Sequence, residues 1–148
     1  DGTINGARLT IASARFPDNP STRTSIIVNN DLRYTNYDGT DVIGLIAQNN
    51  FNVGLRSEND LRIDAAVIAQ NGRVGRFSYD TSCTDDTRDL LTTYGMLATN
   101  QRSAFWYGSN GYIARDYIYD ANLLYAPPPS FPLTSDEYTT ISWEELEQ

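Results

Sequence analysis

Four short stretches of the sequence share one pattern: IIVNN at 26–30, LIAQN at 45–49, VIAQN at 67–71 and MLATN at 96–100. Each has two large apolar residues, a small or branched apolar residue, one polar residue and then Asn. With Ile27, Ile46, Ile68 and Leu97 taken as equivalent, the steps between them are 19, 22 and 29 residues. The longest step contains a polar insertion at 78–89, and without most of that insertion it would be close to the other two.

A repeat of roughly 20 residues built from short strands and turns is typical of a parallel β-helix, also called a β-solenoid. One coil cannot bury its inward aliphatic residues alone, whereas stacked coils form a continuous core. The recurrent Asn suits a turn, and stacked Asn side chains can hydrogen-bond from coil to coil. We therefore expect an all-β fold, a short parallel β-helix of about five coils. The alternative is a β-sandwich whose strand ends share Asn-rich turns.

Short apolar runs separated by Asn, Asp and Gly predict strands at residues 9–14, 25–28, 42–47, 61–69 and 90–98. We assign the coils to residues 1–107, with the acidic insertion at 78–89, and a Tyr- and Pro-rich tail to residues 108–148. The prolines at 127–129 favour an extended tail, because Pro fixes φ and restricts the residue before it. Such a tail is expected to run back along the coils and to cover a face or an open edge. A single helical turn is predicted near residues 140–147, with Ser142 as its N-cap.

Much of the chain also resembles a known family. The resemblance is carried by DVIGLIAQN at 41–49, IDAAVIAQNG at 63–72, YDANLLYAPPP at 119–129 and ISWEEL at 141–146. These stretches look like the C-terminal region of exported bacterial proteins with a pilin-like or PilX-type N-terminal helix. The resemblance implies an extracellular, solenoid-like domain with other envelope or pilus subunits as partners, and it implies no catalytic motif. The chain has no apolar stretch of the ~18–20 residues that span a bilayer, so membrane attachment would need an upstream anchor.

The charged residues exclude several classes of function. The formal net charge is −8, the eleven cationic side chains are all Arg, and the chain has neither Lys nor His. A negative field repels phosphates, so neither nucleic acid nor an anionic lipid surface is an expected partner. The commonest general base, imidazole metal ligands and amine nucleophiles are all missing. No cofactor and no metal is predicted.

Paired carboxylates deserve separate consideration, because some β-helices cleave polysaccharides with such pairs. The candidates are Glu58, Asp60, Asp80, Asp85, Asp86 and Asp89. All of them lie in polar runs rather than in the apolar setting that a general acid requires, and their spacing is not that of an EF-hand or a calcium β-roll. We therefore predict a non-enzymatic domain, with a carbohydrate-active enzyme as an alternative. Cys83 is the single cysteine and cannot form an internal disulfide.

Aromatic and Arg residues are concentrated near the end of the predicted coils. Such side chains give contact surfaces a large area at a modest entropy cost. We predict a binding surface formed by Arg102, Trp106, Tyr107, Tyr112, Arg115 and Tyr117. The alternative is that these rings form additional core. The function most favoured is a cell-surface or pilus-associated adhesion module that contacts a glycan or host surface, and a purely structural filament subunit is the second possibility.

Overall fold

The computed structural model describes residues 1–80 and 82–132, and this part of the chain is nearly all β. A single turn of 3-10 helix, Ala121–Leu124, follows the last strand. No helix in the described ranges has the length and apolar character that crossing a membrane requires. The strands are β1 (Gly2–Ile4), β2 (Arg8–Ser13), β3 (Ile26–Val28), β4 (Leu32–Tyr34), β5 (Val42–Ala47), β6 (Phe51–Val53), β7 (Asp60–Ala69), β8 (Val74–Arg76), β9 (Thr87–Thr99) and β10 (Gly111–Tyr119).

The pairings between these strands are all parallel, and they form two sheets. In the main sheet β4 pairs with the first half of β7 and β5 with its second half, while β1 lies beside β4 and β2 beside β5. On the other side of β7 come β9 and then β10. The second sheet has the order β3, β6, β8, and a single bridge between Gly75 and Ala104 extends it by one more position.

The core lies between the two sheets. Because side chains alternate along a strand, Ile43 and Leu45 of β5 point inward, where Phe51 and Val53 of the second sheet also lie. The inward side chains of β7 and β9 continue the same layer. Every residue of β5 is buried, including those on its outer side. This explains why residues 42–47 are an uninterrupted apolar run and do not alternate with polar residues.

The segment after β10 covers the outer side of β5. Leu123 packs with Val42 in a second apolar cluster. Pro128 approaches Gly44 so closely that a Cβ on that glycine would lie 2.7 Å from the proline Cβ. The Arg8 guanidinium of β2 donates to the Pro127 carbonyl at 2.8 Å. Residues 120–132 therefore run from the β10 end of the main sheet back to its β2 end. The helical turn predicted at 140–147 lies outside the described residues.

The predicted strand positions are confirmed, since residues 9–14, 25–28, 42–47, 61–69 and 90–98 correspond to β2, β3, β5, β7 and β9. The equivalence of the four motifs is only partly correct. Ile46 pairs with Ile68 as predicted, but the next residue in register is Ala98 rather than Leu97. Ile27 lies in the second sheet, and Ala12 is the partner of Ile46. An apolar run that ends in Asn occurs in strands of both sheets, so the pattern alone does not distinguish them.

Two predicted boundaries also differ from the structure. Strand β9 begins at Thr87, so the last three residues of the 78–89 insertion belong to the main sheet. Strand β10 lies inside the predicted 108–148 tail, yet it pairs along the length of β9. A boundary at 107/108 therefore does not separate a tail from the sheet, because β10 is the next strand of that sheet.

Two of the four recurrent Asn residues, Asn71 and Asn100, make side-chain hydrogen bonds to a neighbouring turn, and Asn50, which follows the recurrent Asn49, does the same. The Asn71 side chain donates to the Gln48 carbonyl at 2.7 Å, and the Asn100 side chain donates to the Asn71 carbonyl at 3.3 Å. Asn50 accepts the Arg73 backbone N–H at 2.9 Å. The sequence predicts such contacts from turn to turn, but in the structure these amides bond to backbone groups rather than to one another.

Candidate binding groove

An open groove with a volume of about 520 Å³ lies where β10 ends the main sheet. Residues 102–107 form one wall, and they are joined to the second sheet through the bridge from Ala104 to Gly75. The opposite wall comes from β10. The lining residues are Arg73, Arg102, Ser103, Ala104, Phe105, Trp106, Tyr107, Arg115 and Tyr117.

Five of the six predicted binding residues meet in this groove, namely Arg102, Trp106, Tyr107, Arg115 and Tyr117. The sixth, Tyr112, lies elsewhere. Its side chain is 0% exposed, and its hydroxyl donates to the Glu58 carbonyl at 2.7 Å and is hydrogen-bonded to Ser57 at 2.8 Å. For Tyr112, therefore, the alternative of an interior ring is the correct one.

The register of the main sheet explains why polar and aromatic side chains line this groove. Leu61 of β7 pairs with Leu91 of β9, and both are buried, whereas the partner of Leu91 in β10 is Arg115. In the same way Thr93 of β9 pairs with Tyr117. In the second sheet, the described residues contain no named strand beyond β8 that would face β10. The inward side of β10 therefore lines an open groove rather than a closed core.

Several of the lining side chains are fixed in place by neighbours. The Tyr107 hydroxyl donates to the Arg76 carbonyl at 2.6 Å, and the Arg73 guanidinium lies 5.9 Å from the centre of the Tyr107 ring. Arg115 donates from Nη1 to the Tyr112 carbonyl at 2.6 Å. Tyr117 is 54% exposed, and its partial burial raises the pKa of the phenol above the ordinary value.

The groove is positively charged although the chain as a whole is negative. In the part of the chain that the structure describes, its lining contains three Arg residues and no Asp or Glu. The ion pairs found among residues 1–80 and 82–132 involve Arg23, Arg33, Arg62 and Arg88, and none of them involves an Arg of the groove. The three guanidinium groups of Arg73, Arg102 and Arg115 therefore lie in one groove without a carboxylate within 4 Å in the described part of the chain.

A second open cavity of about 400 Å³ adjoins the groove and shares Ser103 and Tyr117 with it. Its other lining residues are Thr93, Gly95, Met96, Leu97, Ile118 and Tyr119. The two cavities together present a basic, aromatic half and a more apolar half along the inward side of β10.

Sequence reasoning missed Arg73, which is far from the 102–117 cluster along the chain. It lies in the turn before β8 and joins the groove because the second sheet places this turn next to residues 102–107. The residues around Arg73 in the sequence show no pattern that predicts a binding site. Only the correct pairing of β8 with the segment around Ala104 would have placed Arg73 beside the aromatic residues.

The candidate carboxylates of the insertion are engaged in local contacts. A backbone hydrogen bond from Ser82 lowers the pKa of Asp80, which is the opposite of what a general acid requires. Asp85 forms an ion pair with Arg88 at 3.3 Å, and Asp89 is hydrogen-bonded to Asn59. Within the ranges that the structure describes, no group of three or more acidic, His or Cys residues is arranged to hold a metal ion.

Two carboxylates that the sequence did not single out are almost fully buried. Asp64 is 0% exposed and accepts hydrogen bonds from the Tyr34 N–H at 3.0 Å, the Tyr37 hydroxyl at 2.7 Å and Arg62 Nε at 2.8 Å. These donors come from β4, from the loop after it and from β7. The carboxylate therefore ties neighbouring strand positions of the main sheet together and needs no external ligand to be satisfied.

Asp41 has a similar role just before β5. It accepts backbone N–H groups of Ala7 at 3.1 Å, Thr35 at 3.0 Å and Asn36 at 2.8 Å. Burial raises the pKa of Asp41, but the hydrogen bonds from Asn36, Ala7 and Thr35 together hold it below its ordinary value. The carboxylate is therefore ionised at neutral pH, and it accepts hydrogen bonds from the backbone of two loops.

Comparisons with protein-family models, with curated proteins and with solved structures find no match for this chain. The function proposed for the groove therefore rests on its own residues.

Proposed function

We propose that the chain is a short β-solenoid of about five coils that binds a glycan in the groove beside β10. It would act as a non-enzymatic adhesion module of an exported bacterial cell-surface or pilus protein. The observation that carries this proposal is the convergence of Trp106, Tyr107 and Tyr117 with three Arg residues in one open groove.

The order of the strands supports the solenoid. The main sheet has five successive positions. The strands β1 and β2 share the first, β4 and β5 share the second, and β7, β9 and β10 each occupy one of the other three. Between these positions the chain visits the second sheet through β3, β6, β8 and Ala104. A chain that returns to the same two sheets in parallel register advances by one coil at each return. Parallel pairing also favours the solenoid over a β-sandwich, in which the strands are antiparallel.

The chemistry of the groove supports a sugar ligand. Indole and phenol rings offer flat apolar faces together with a polar edge, and a sugar ring has the matching combination of C–H faces and hydroxyl groups. Trp106 and Tyr107 are half-buried, which limits the side-chain entropy lost on binding. Arg side chains add hydrogen-bond donors that are directional and permanently charged. Location on a pilus or cell surface, with other envelope subunits as partners, is supported by the family resemblance of residues 41–49, 63–72 and 119–129.

Replacing Trp106 by Ala is expected to weaken glycan binding by about thirtyfold, because central aromatic contacts contribute about 2 kcal/mol or more. The wild-type protein is first applied to a glycan array, and the affinity of the best ligand is then measured by calorimetry. Tyr125→Ala is the matched control, since Tyr125 is an aromatic residue that is 89% exposed and does not line the groove. Absence of any glycan ligand, or equal affinity of the Trp106 variant and the wild type, would contradict the proposal.

A filament subunit is the second candidate, and the edge of the main sheet favours it. Among the described residues β10 pairs with β9 on one side, and on its other side residues 105–106 bridge only Gly111 and Tyr112. The rest of that edge, residues 113–119, is open. Ile113 on this strand is 56% exposed. A long open edge is a template for a strand from another chain, and pairing it with the β1/β2 edge of a second copy would repeat head to tail.

Under this second candidate, the wild-type protein should form oligomers whose size increases with concentration in sedimentation velocity experiments. Ile113→Lys should shift the protein to monomer, because a charged side chain on an edge strand opposes pairing with another chain. Phe16→Lys serves as the control, since Phe16 is also an exposed apolar residue but belongs to no strand. A wild-type protein that stays monomeric up to high concentration would rule out the filament role.

A further inference from the structure

We propose that the ligand of the groove is an acidic oligosaccharide, one whose sugar rings carry carboxylate groups. This inference rests on the proposed glycan-binding function and narrows it to a class of ligand. It comes from the charge of the groove rather than from its aromatic residues.

The distribution of charge over the chain is unequal. Acidic residues outnumber cationic residues by nineteen to eleven, yet three of the eleven Arg residues line one groove, and its lining contains no Asp or Glu among the described residues. Within residues 1–80 and 82–132, Arg73, Arg102 and Arg115 have no carboxylate within 4 Å, and a neutral sugar would not supply one. A carboxylate would compensate them through charge-assisted hydrogen bonds, which are roughly twice as strong as neutral ones.

Two of these guanidinium groups are already positioned. Arg115 is fixed by its Nη1 hydrogen bonds to the carbonyls of Tyr112 at 2.6 Å and Ile113 at 3.2 Å. Arg73 lies against the Tyr107 ring. A guanidinium has five N–H donors in a planar fork. Each of these two groups can therefore keep its present contacts and still donate hydrogen bonds to a carboxylate. Because these side chains are positioned before binding, less side-chain entropy is lost when a ligand binds.

The aromatic rings and the remaining charge restrict the ligand further. Trp106 and Tyr117 provide faces on which a sugar ring can lie, and a simple anion would not use them. The rest of the molecule is acidic, so a long polyanion that extends beyond the groove would be repelled. A short oligosaccharide with a few carboxylates fits both conditions.

The test compares sugars that differ only in charge. Trigalacturonate, a glucuronate-containing tetrasaccharide and the methyl ester of each are titrated into the full chain by calorimetry, with an uncharged oligosaccharide set and a pentaglutamate peptide alongside. At least one acidic sugar should bind about tenfold or more tightly than its ester, because esterification removes a charge-assisted hydrogen bond. The preference should weaken at high salt.

The variant Arg102→Gln links this preference to the groove. It should lower the affinity for the acidic sugar by about tenfold and leave that for the ester nearly unchanged. Arg56→Gln is the matched control, because Arg56 is exposed and lies outside the groove. Melting curves show whether both variants are folded.

The outcomes distinguish this inference from the proposed function. If esters or uncharged sugars bind as tightly as the acids, the acidic class is overturned but glycan binding stands. If no sugar binds, both fail. If pentaglutamate binds as tightly as the acidic sugar, the groove selects charge alone and the inference is overturned. Equal effects of Arg102→Gln on acid and ester would overturn it as well.

Discussion

Replacing Arg76 by Ala is expected to lower the free energy of unfolding by about 4 kcal/mol, because a hydrogen bond to a charged group contributes about 1.5–3 kcal/mol and truncation also leaves a cavity. Arg76 is the largest fully buried side chain in the described part of the protein, with 0% exposure. Its guanidinium donates to the carbonyls of Leu55 at 3.1 Å, Asp85 at 2.7 Å and Asp86. Truncation would remove this donor from all three carbonyls. The Asp86 carbonyl would keep the Gly111 N–H at 2.8 Å and the Leu55 carbonyl would keep Arg88 Nη2 at 3.4 Å, whereas the Asp85 carbonyl would have no other donor in the described part of the chain.

The surroundings of Arg76 explain why the effect should be large. Burial lowers the pKa of Arg76, so a desolvated cation is held in the interior by backbone carbonyls and aromatic rings. The rings of Tyr79 and Tyr112 lie 5.1 Å and 5.7 Å from the guanidinium carbon. Because Asp85 and Asp86 belong to the acidic insertion, the same side chain anchors that insertion to the core.

Chemical denaturation of three variants tests this expectation. Arg76→Lys should fall between the wild type and Arg76→Ala, because one ammonium group cannot reproduce the planar fork of donors. Arg56→Ala, at an exposed position, should change stability by less than about 0.5 kcal/mol. A loss below about 1 kcal/mol for Arg76→Ala would show that water replaces the guanidinium at the three carbonyls.

Substitution of Gly95 by Ala is expected to cost about 3 kcal/mol or more, because both backbone strain and a clash act at this position. Gly95 has a φ of +138°, which side chains rarely tolerate. A Cβ there would lie 2.2 Å from the Ala65 carbonyl oxygen, which is backbone of the neighbouring strand β7. The sheet itself would therefore have to move to accommodate one methyl group.

Gly2 provides a control with the same backbone angle. Its φ is also +138°, but a Cβ would meet nothing within 4 Å. Gly2→Ala should therefore report the backbone strain alone, about 1 kcal/mol. The difference between the two variants in thermal or chemical denaturation measures the cost of the clash. Equal losses for Gly95→Ala and Gly2→Ala would show that β7 and β9 move apart at little cost.

The sequence predicts the β character well because that character is local. The runs at 42–47 and 61–69 are mostly apolar, rich in branched residues and followed by Asn-containing turns, and both are strands. The pairing of Ile46 with Ile68 also follows from their similar surroundings. Ile27 has the same local pattern but lies in the other sheet. The assignment of a strand to a sheet depends on the lengths and hydrogen bonds of the loops between strands, and a five-residue motif does not contain that information.

For the candidate groove, too, the sequence predicts what depends on neighbouring residues and misses what depends on residues far apart in the chain. Arg102, Trp106, Tyr107, Arg115 and Tyr117 are close in sequence, so composition was enough to group them. Arg73 reaches the groove only through the stacking of β8 on the segment around Ala104. Tyr112 belongs to the same local cluster, but its hydroxyl is satisfied by Ser57 and Glu58 in the interior. These partners are more than 50 residues away in the sequence, so the residues next to Tyr112 do not indicate that its side chain is buried.

The segment at 120–132 has a consequence for how the protein unfolds. In the proposed solenoid, the coils at the two ends would be expected to open first and independently of each other. Here the Asn122 side chain donates to the Tyr37 carbonyl, and Pro127 and Pro129 accept hydrogen bonds from Arg8 and Thr10. Residues 120–132, which follow β10 at one edge of the main sheet, are therefore connected to β2 at the other edge. We therefore expect that opening either edge of the main sheet breaks contacts of the other, and that the two edges unfold together as one cooperative unit.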